Sequence, residues 1–258
     1  MSRIVCQFSC GAASAVATKL ALAQFGKDRV VIVNAFIKEE HEDNRRFLVD
    51  CERWFEHPIT VLQDEKYGAS VDIVWTQRRF MKGPRGAPCS QELKRKVLNQ
   101  FIQPSDRLVF GFTVEELDRA DLFPDGLFPL IDASLTHADC LGVVDRAGIQ
   151  LPEMYRLGFN NANCIGCPKG GEGYWNHIRK VFPQRFSTVM EIQERIGPGA
   201  YFHRNRVTNV RFGLKDLDPH AGRHDEPLPS CSFYCVLAEQ DMNGNAHSPA
   251  RPTEGGAR

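Results

Sequence analysis

The stretch Ile4-Val5-Cys6-Gln7-Phe8-Ser9-Cys10-Gly11-Ala12-Ala13-Ser14 decides the fold. Its first five residues are an apolar run that predicts a strand. After Ser14, Val16, Ala17, Leu20 and Ala23 recur at helical spacing. Strand, small-residue loop and helix together form the geometry of a phosphate cradle. Small side chains let the backbone approach an anion closely, and the first amides of a helix have no internal acceptors. Ser9 and Ser14 add hydroxyl donors. The same residues also suit an ordinary strand-to-helix turn, in which small side chains only permit close packing.

Working outward, the helix should run to about Gln24 and stop at Gly26. Val30 to Ala35 is an unbroken apolar, β-branched run typical of a strand buried on both faces. Glu39, Glu40, His41, Glu42 and Asp43 follow it. A helix is expected from Arg46 to Phe55 and a third strand at Ile59 to Leu62. This alternation predicts a parallel sheet with right-handed crossovers and ligands at the carboxyl ends of its strands. Residues 64 to 88 read as a long connection, followed by a helix from Ser90 to Phe101. A fourth strand is expected at Leu108 to Phe112 and a fifth at Leu127 to Ile131. The expected fold class is therefore α/β: a parallel five-stranded sheet with helices on both faces, plus a helical, cysteine-containing C-terminal region. The expected division is a nucleotide-binding α/β domain over 1–131, a helical extension over 132–244 and a disordered tail over 245–258.

Lys plus Arg and Asp plus Glu both number 32, so a globally basic nucleic-acid binder is not indicated. Charge is locally uneven, however. Arg78, Arg79, Lys82, Arg85, Lys94, Arg95 and Lys96 face a single nearby acid, Glu92. That patch suits phosphates, or equally a solvated face. No run of about 18 apolar residues is present, and the N-terminus lacks a basic-then-apolar signal pattern. A cytoplasmic protein without membrane contact is expected.

Nine cysteines in such a compartment point to metal, redox or sulfur chemistry rather than disulfides. Cys164-Ile165-Gly166-Cys167 places two thiols on a turn that can grip one metal centre. With Cys140 and Cys89 upstream, four ligands would complete a set for zinc or a [4Fe–4S] cluster. The isolated positions of Cys89 and Cys140 fit paired zinc-ribbon spacing poorly. A redox pair is the alternative for Cys164 and Cys167. Cys6 and Cys51 read as core, and Cys231 and Cys235 as buried thiols. Cys10 sits at a helix N-terminus, where thiol pKa falls, or is simply a small residue that fits the loop. Lys169-Gly170-Gly171 after the cysteine pair suits a second anion site, a lid hinge or a loop shaped by its metal.

Together these residues resemble the N-type ATP pyrophosphatases, or PP-loop proteins, and within them the phosphoadenosine-phosphosulfate reductase-like branch. Ser9, Gly11 and Ser14 match that family's Ser-Gly-Gly-x-Asp-Ser loop, with Cys10 in place of a glycine and Ala13 in place of the aspartate. Glu40-His41, Cys89 with Leu93-Lys94, and Gly111 with Glu115, Glu116 and Arg119 resemble its later segments. Cys164 and Cys167 match the second cysteine pair of cluster-bearing members, and Cys140 would replace a missing first-pair ligand. The likeness spans about residues 3 to 197. The reductases' C-terminal Glu-Cys-Gly context is absent around Cys231, which argues against simple reductase activity.

The resemblance implies ATP held with Mg²⁺ at Ser9, Cys10, Gly11, Ala12, Ala13 and Ser14, with Glu40 and Gly111 alongside. It implies a [4Fe–4S] cluster on Cys89, Cys140, Cys164 and Cys167. Arg78, Arg79, Lys94, Arg119 and Lys169 are candidates to bind an anionic substrate. The expected function is an ATP-dependent adenylating enzyme of sulfur metabolism or nucleic-acid modification. Alternatives are a sulfonucleotide reductase using Cys231 or Cys235, and a nucleotide- or nucleic-acid-binding protein without turnover. Expected partners are an adenine nucleotide, a nucleic-acid or small sulfur-containing substrate, an electron or sulfur donor protein, and a second copy of the chain.

Overall fold

The computed structural model describes residues 2–83, 86–205 and 207–223. Strand β1 is Ile4–Gln7 and helix α1 is Ala12–Phe25, ending at Gly26 with φ +81°. Then come β2, Val30–Ala35, α2, Asp43–Phe55, and β3, Ile59–Leu62. Helix α3, Val71–Arg78, lies inside the segment expected as a connection. The Ser70 Oγ accepts from Ile73 N, and Glu39 accepts from Ser70 Oγ at 2.6 Å and Val71 N at 2.8 Å. A carboxylate from the end of β2 thus caps a helix whose own sequence is weakly patterned.

Ser90–Arg95 is wound as a π-helix and continues as α4, Lys96–Phe101. Strand β4 is Arg107–Val109, and the short helices α5, Leu117–Ala120, and α6, Pro129–Asp132, follow. The four strands pair in parallel in the order β3-β2-β1-β4. The sheet has four strands, not five. Leu127 contributes one parallel bridge to Val109, and then Pro129 starts α6. Proline has no N–H for a ladder and its fixed φ suits the first turn of a helix.

The remaining helices are α7, His137–Arg146, α8, Glu153–Arg156, α9, Glu172–Val181, and α10, Pro183–Ile196. A short antiparallel hairpin joins β5, His203–Arg204, to β6, Arg211–Phe212. Two large core clusters form, beside a small one around Phe110, Phe112 and Ala120, and each of the two draws on both sides of residue 131. One gathers β1, α1, Phe47, Phe55 and Val109 with Leu130, Cys140, Val144 and Ile149. The other gathers Ile37, Val74, Trp75 and Leu93 with Met154, Trp175, Ile178 and Val189. Helix α1 is alanine-rich and buried on nearly every side because α2, α6 and α7 enclose it against β1. No described helix is long and apolar enough to cross a membrane. Cys231, Cys235 and the expected tail lie outside the described residues.

Candidate functional site

The chain leaves β1 towards β2 on one side of the sheet and returns to β4 on the other. The connections after β1 and β4 therefore diverge, and such a switch point opens a crevice at the carboxyl ends of the strands. The loop Ser9–Ser14 lies there. Gly111, just beyond β4, fits flush behind it. A Cβ at Gly111 would come within 3.1 Å of Ser14 Cα and 3.2 Å of Ser14 N.

The loop holds its own shape. Ser14 Oγ donates to Gly11 O at 2.9 Å and accepts from Ser9 N at 3.1 Å, with Ser9 Oγ at 3.2 Å. Asn34, from the end of β2, donates to Phe8 O at 2.8 Å and contacts Cys10 Sγ at 3.6 Å. Cys10 has φ +57°, a left-handed conformation that a non-glycine residue rarely adopts. Its thiol is buried, and burial pushes its pKa well up, with the charge of Glu40 adding to the effect. Burial thus works against the low-pKa thiol that a helix N-terminus by itself favours. The amides of Cys10, Gly11 and Ala13 have no acceptor among the described residues. Ala12 N donates to Tyr155 Oη at 3.3 Å. Burial pushes the Tyr155 phenol up to about 12, so it stays neutral at this helix end.

Glu40 follows β2 and pairs with Lys94 Nζ at 3.1 Å. Asn44 Nδ2 donates to the same carboxylate at 3.3 Å. The charges of both Glu40 and Lys94 act on Cys10, which sets the pair beside the loop. Lys94 arrives on the π-helical segment, an irregularity that often marks functional positions. Arg78 lies elsewhere, in an ion pair with buried Glu92, which also takes Lys96 at 2.9 Å. Burial opposes ionisation of Glu92, but hydrogen bonds from Lys96 and Arg78 hold its carboxyl below the ordinary value. Arg79 is exposed at the end of α3 in a left-handed conformation. Arg119 stacks its guanidinium over Phe112 at 4.3 Å and pairs with Glu116.

The Cys164–Cys167 turn is moored to the same edge of the sheet. Ile165 N donates to Glu39 O at 2.8 Å, and Asn44 Nδ2 donates to Ala162 O at 3.0 Å. Gly166 takes φ +80°, which the tight turn requires. The Tyr174 phenol accepts from Gly166 N at 2.9 Å and Cys167 N at 3.0 Å, and donates to Cys164 O at 3.3 Å. Burial, with Cys167 adding, drives this phenol's pKa far up. Arg185 Nε donates to Ile165 O at 3.0 Å while its two terminal nitrogens grip Asp72 at 2.6 and 2.8 Å.

Cys89, Cys164 and Cys167 share one core cluster, whereas Cys140 packs in the other, on α7 against α1. Cys140 is fully buried there, and burial raises its thiol to about 12. Among the described residues no group of three or more His, Cys, Asp or Glu side chains is arranged to hold a metal ion. Among the described residues Cys140 thus stands apart from the other three expected ligands, because sequence distance does not report which core a helix face joins. Lys169 is buried in the turn after Cys167. Asn34 and Tyr155 escape a reading by motif, since each acts through a partner distant in sequence. No protein-family model matches the chain, and no curated protein matches it in sequence.

Proposed function

We propose that the chain binds an adenine nucleotide by its phosphates at the Ser9–Ser14 loop and uses it to adenylate an acceptor. One observation carries this reading: the amides of Cys10, Gly11 and Ala13 lack acceptors at the N-terminus of α1, at the switch point of a parallel sheet. The motif resemblance to the PP-loop proteins supplies the nucleotide and the reaction class.

In this reading the α1 terminus and the loop amides bind phosphate oxygens, and the exposed Ser9 hydroxyl adds a donor. An acceptor oxygen forms a bond to the α-phosphorus while the bond from that phosphorus to the bridging oxygen breaks. Pyrophosphate leaves with the electron pair. The same amides stabilise charge that grows on the leaving group. Lys94, beside the loop, neutralises part of that charge once it exchanges Glu40 for phosphate. Ala13 leaves the loop itself without a carboxylate, so Mg²⁺ would rest on phosphate oxygens. The cysteines among the described residues are not gathered as four ligands, and no step is routed through a cluster.

Calorimetric titration of the full chain with ATP tests the site, and release of pyrophosphate tests turnover. The double variant Ser9→Ala plus Ser14→Ala is expected to bind ATP about tenfold more weakly, the loss of a hydrogen bond to a charged group. A wild-type chain that takes up no ATP overturns the reading.

A further inference from the structure

A cavity of about 540 Å³ opens between the start of α9 and the β5–β6 hairpin. This is within the range of about 300–1,000 Å³ usual for small-molecule sites. Four cations line it, Lys82, Lys169, Arg204 and Arg223, against one carboxylate, Glu172. Its floor is the first turn of α9, where Gly171 serves as N-cap with no capping side chain. The helix dipole there favours an anion.

A second observation comes from the hairpin. His203 lines the cavity and is 6% exposed, yet its Nε2 has no hydrogen-bond partner. Its ring is clamped between Phe202, edge-on at 4.8 Å, and Phe212, stacked at 5.5 Å. A buried, orphaned ring nitrogen costs free energy unless a ligand supplies its partner. Lys82 lines the same cavity. Burial lowers its pKa, and Lys169 and Arg211 repel it further, while Cys167 works in the opposite sense. Burial and Lys82 push the His203 imidazole down to about 4, so it is neutral and has one N–H to donate.

We propose that this cavity is a phosphate-binding site, built from residues other than those of the Ser9–Ser14 loop, that holds the phosphate group of a substrate beside the Cys164–Cys167 turn. Phosphate oxygens would accept from His203 Nε2–H, and its charge would offset Lys82. The phosphate could belong to a free phosphomonoester or to a nucleic-acid backbone. The proposal goes beyond the nucleotide reading and does not depend on it.

The test follows the His203 ring resonances by NMR in the full chain, assigned through His203→Gln. Saturable movement on adding inorganic phosphate, absent with chloride at matched ionic strength, is the expected result. Lys82→Gln is expected to weaken that binding about tenfold. A 5′-phosphorylated mononucleotide acting at lower concentration than an unphosphorylated single-stranded oligonucleotide identifies a free phosphomonoester. The reverse order identifies the backbone. His203 resonances that ignore phosphate, or respond equally to chloride, overturn the proposal. That result would leave ATP binding at the loop untouched, because the reporter sits only in this cavity.

Discussion

The Tyr155 hydroxyl lies 3.3 Å from the Ala12 amide nitrogen, joining α8 to the first turn of α1 across most of the chain. The phenol therefore covers one of the donors that a phosphate would otherwise use. A Cβ at Gly11 would sit 3.4 Å from the same oxygen, so the loop and the tyrosine are fitted to each other.

Tyr155→Phe should then have two opposite effects. Loss of one hydrogen bond lowers stability by about 1 kcal/mol, visible as a small drop in Tm. The freed Ala12 amide raises ATP affinity a few-fold. A fall in affinity instead would show that the hydroxyl belongs to the nucleotide site as a donor.

Helix α8 is held in place by Asp43. Its carboxylate accepts from Glu153 N at 2.8 Å and from Arg46 at 2.6 and 2.8 Å. The Arg46 hydrogen bonds, against the opposing effect of burial, hold the Asp43 carboxyl below its ordinary value. An aspartate with a lowered native pKa stabilises the fold fully above its unfolded value of about 3.9, and the contribution is lost as pH falls through the native value. Asp43→Asn should therefore be less stable than wild type at neutral pH, with the difference closing in acid. Denaturant titrations at pH 7 and in acid measure it, and a gap that widens on acidification contradicts the assignment.

Gly111 is small because the α1 terminus is there. Gly111→Val puts carbon against Ser14 backbone that has no room to retreat. A cost of about 1–3 kcal/mol is expected from overpacking, with ATP binding reduced in parallel. Unchanged urea midpoints would mean that β4 and the loop are free to move apart.

Cys140→Ala should leave whatever iron or zinc accompanies the purified chain unchanged, because Cys140 lies in the α1–α7 core. The substitution costs about 1 kcal/mol through lost packing. Metal analysis of both proteins decides it: metal lost with Cys140 would return this residue to a ligand set with Cys164 and Cys167.

Much of the sheet was legible from the chain because its signals are local. The run Val30 to Ala35, the Phe47–Cys51–Phe55 face and the Gly26 stop each need no distant partner. Helix α3 was not legible, since Glu39 caps it from the end of another strand. The expected fifth strand shrank to one bridge because Pro129 lies just after Leu127. At the site, small residues and serines announced the loop, but Asn34 and Tyr155 reach it only through tertiary structure. The packing of Cys140 was not legible for the converse reason: a cysteine's place in the sequence says nothing of the core its helix face joins.

The two interleaved cores bear on how the chain comes off the ribosome. The face of α1 that meets α7 has no cover until residues near Ile149 have been made, and Trp75 waits for Trp175 and Ile178. Neither core can close around the first hundred residues alone. Such long-range pairing delays folding and leaves apolar surface open during synthesis. A nascent chain halted at residue 131 should therefore remain sensitive to protease and should engage chaperones, and it should become compact only when the later helices emerge.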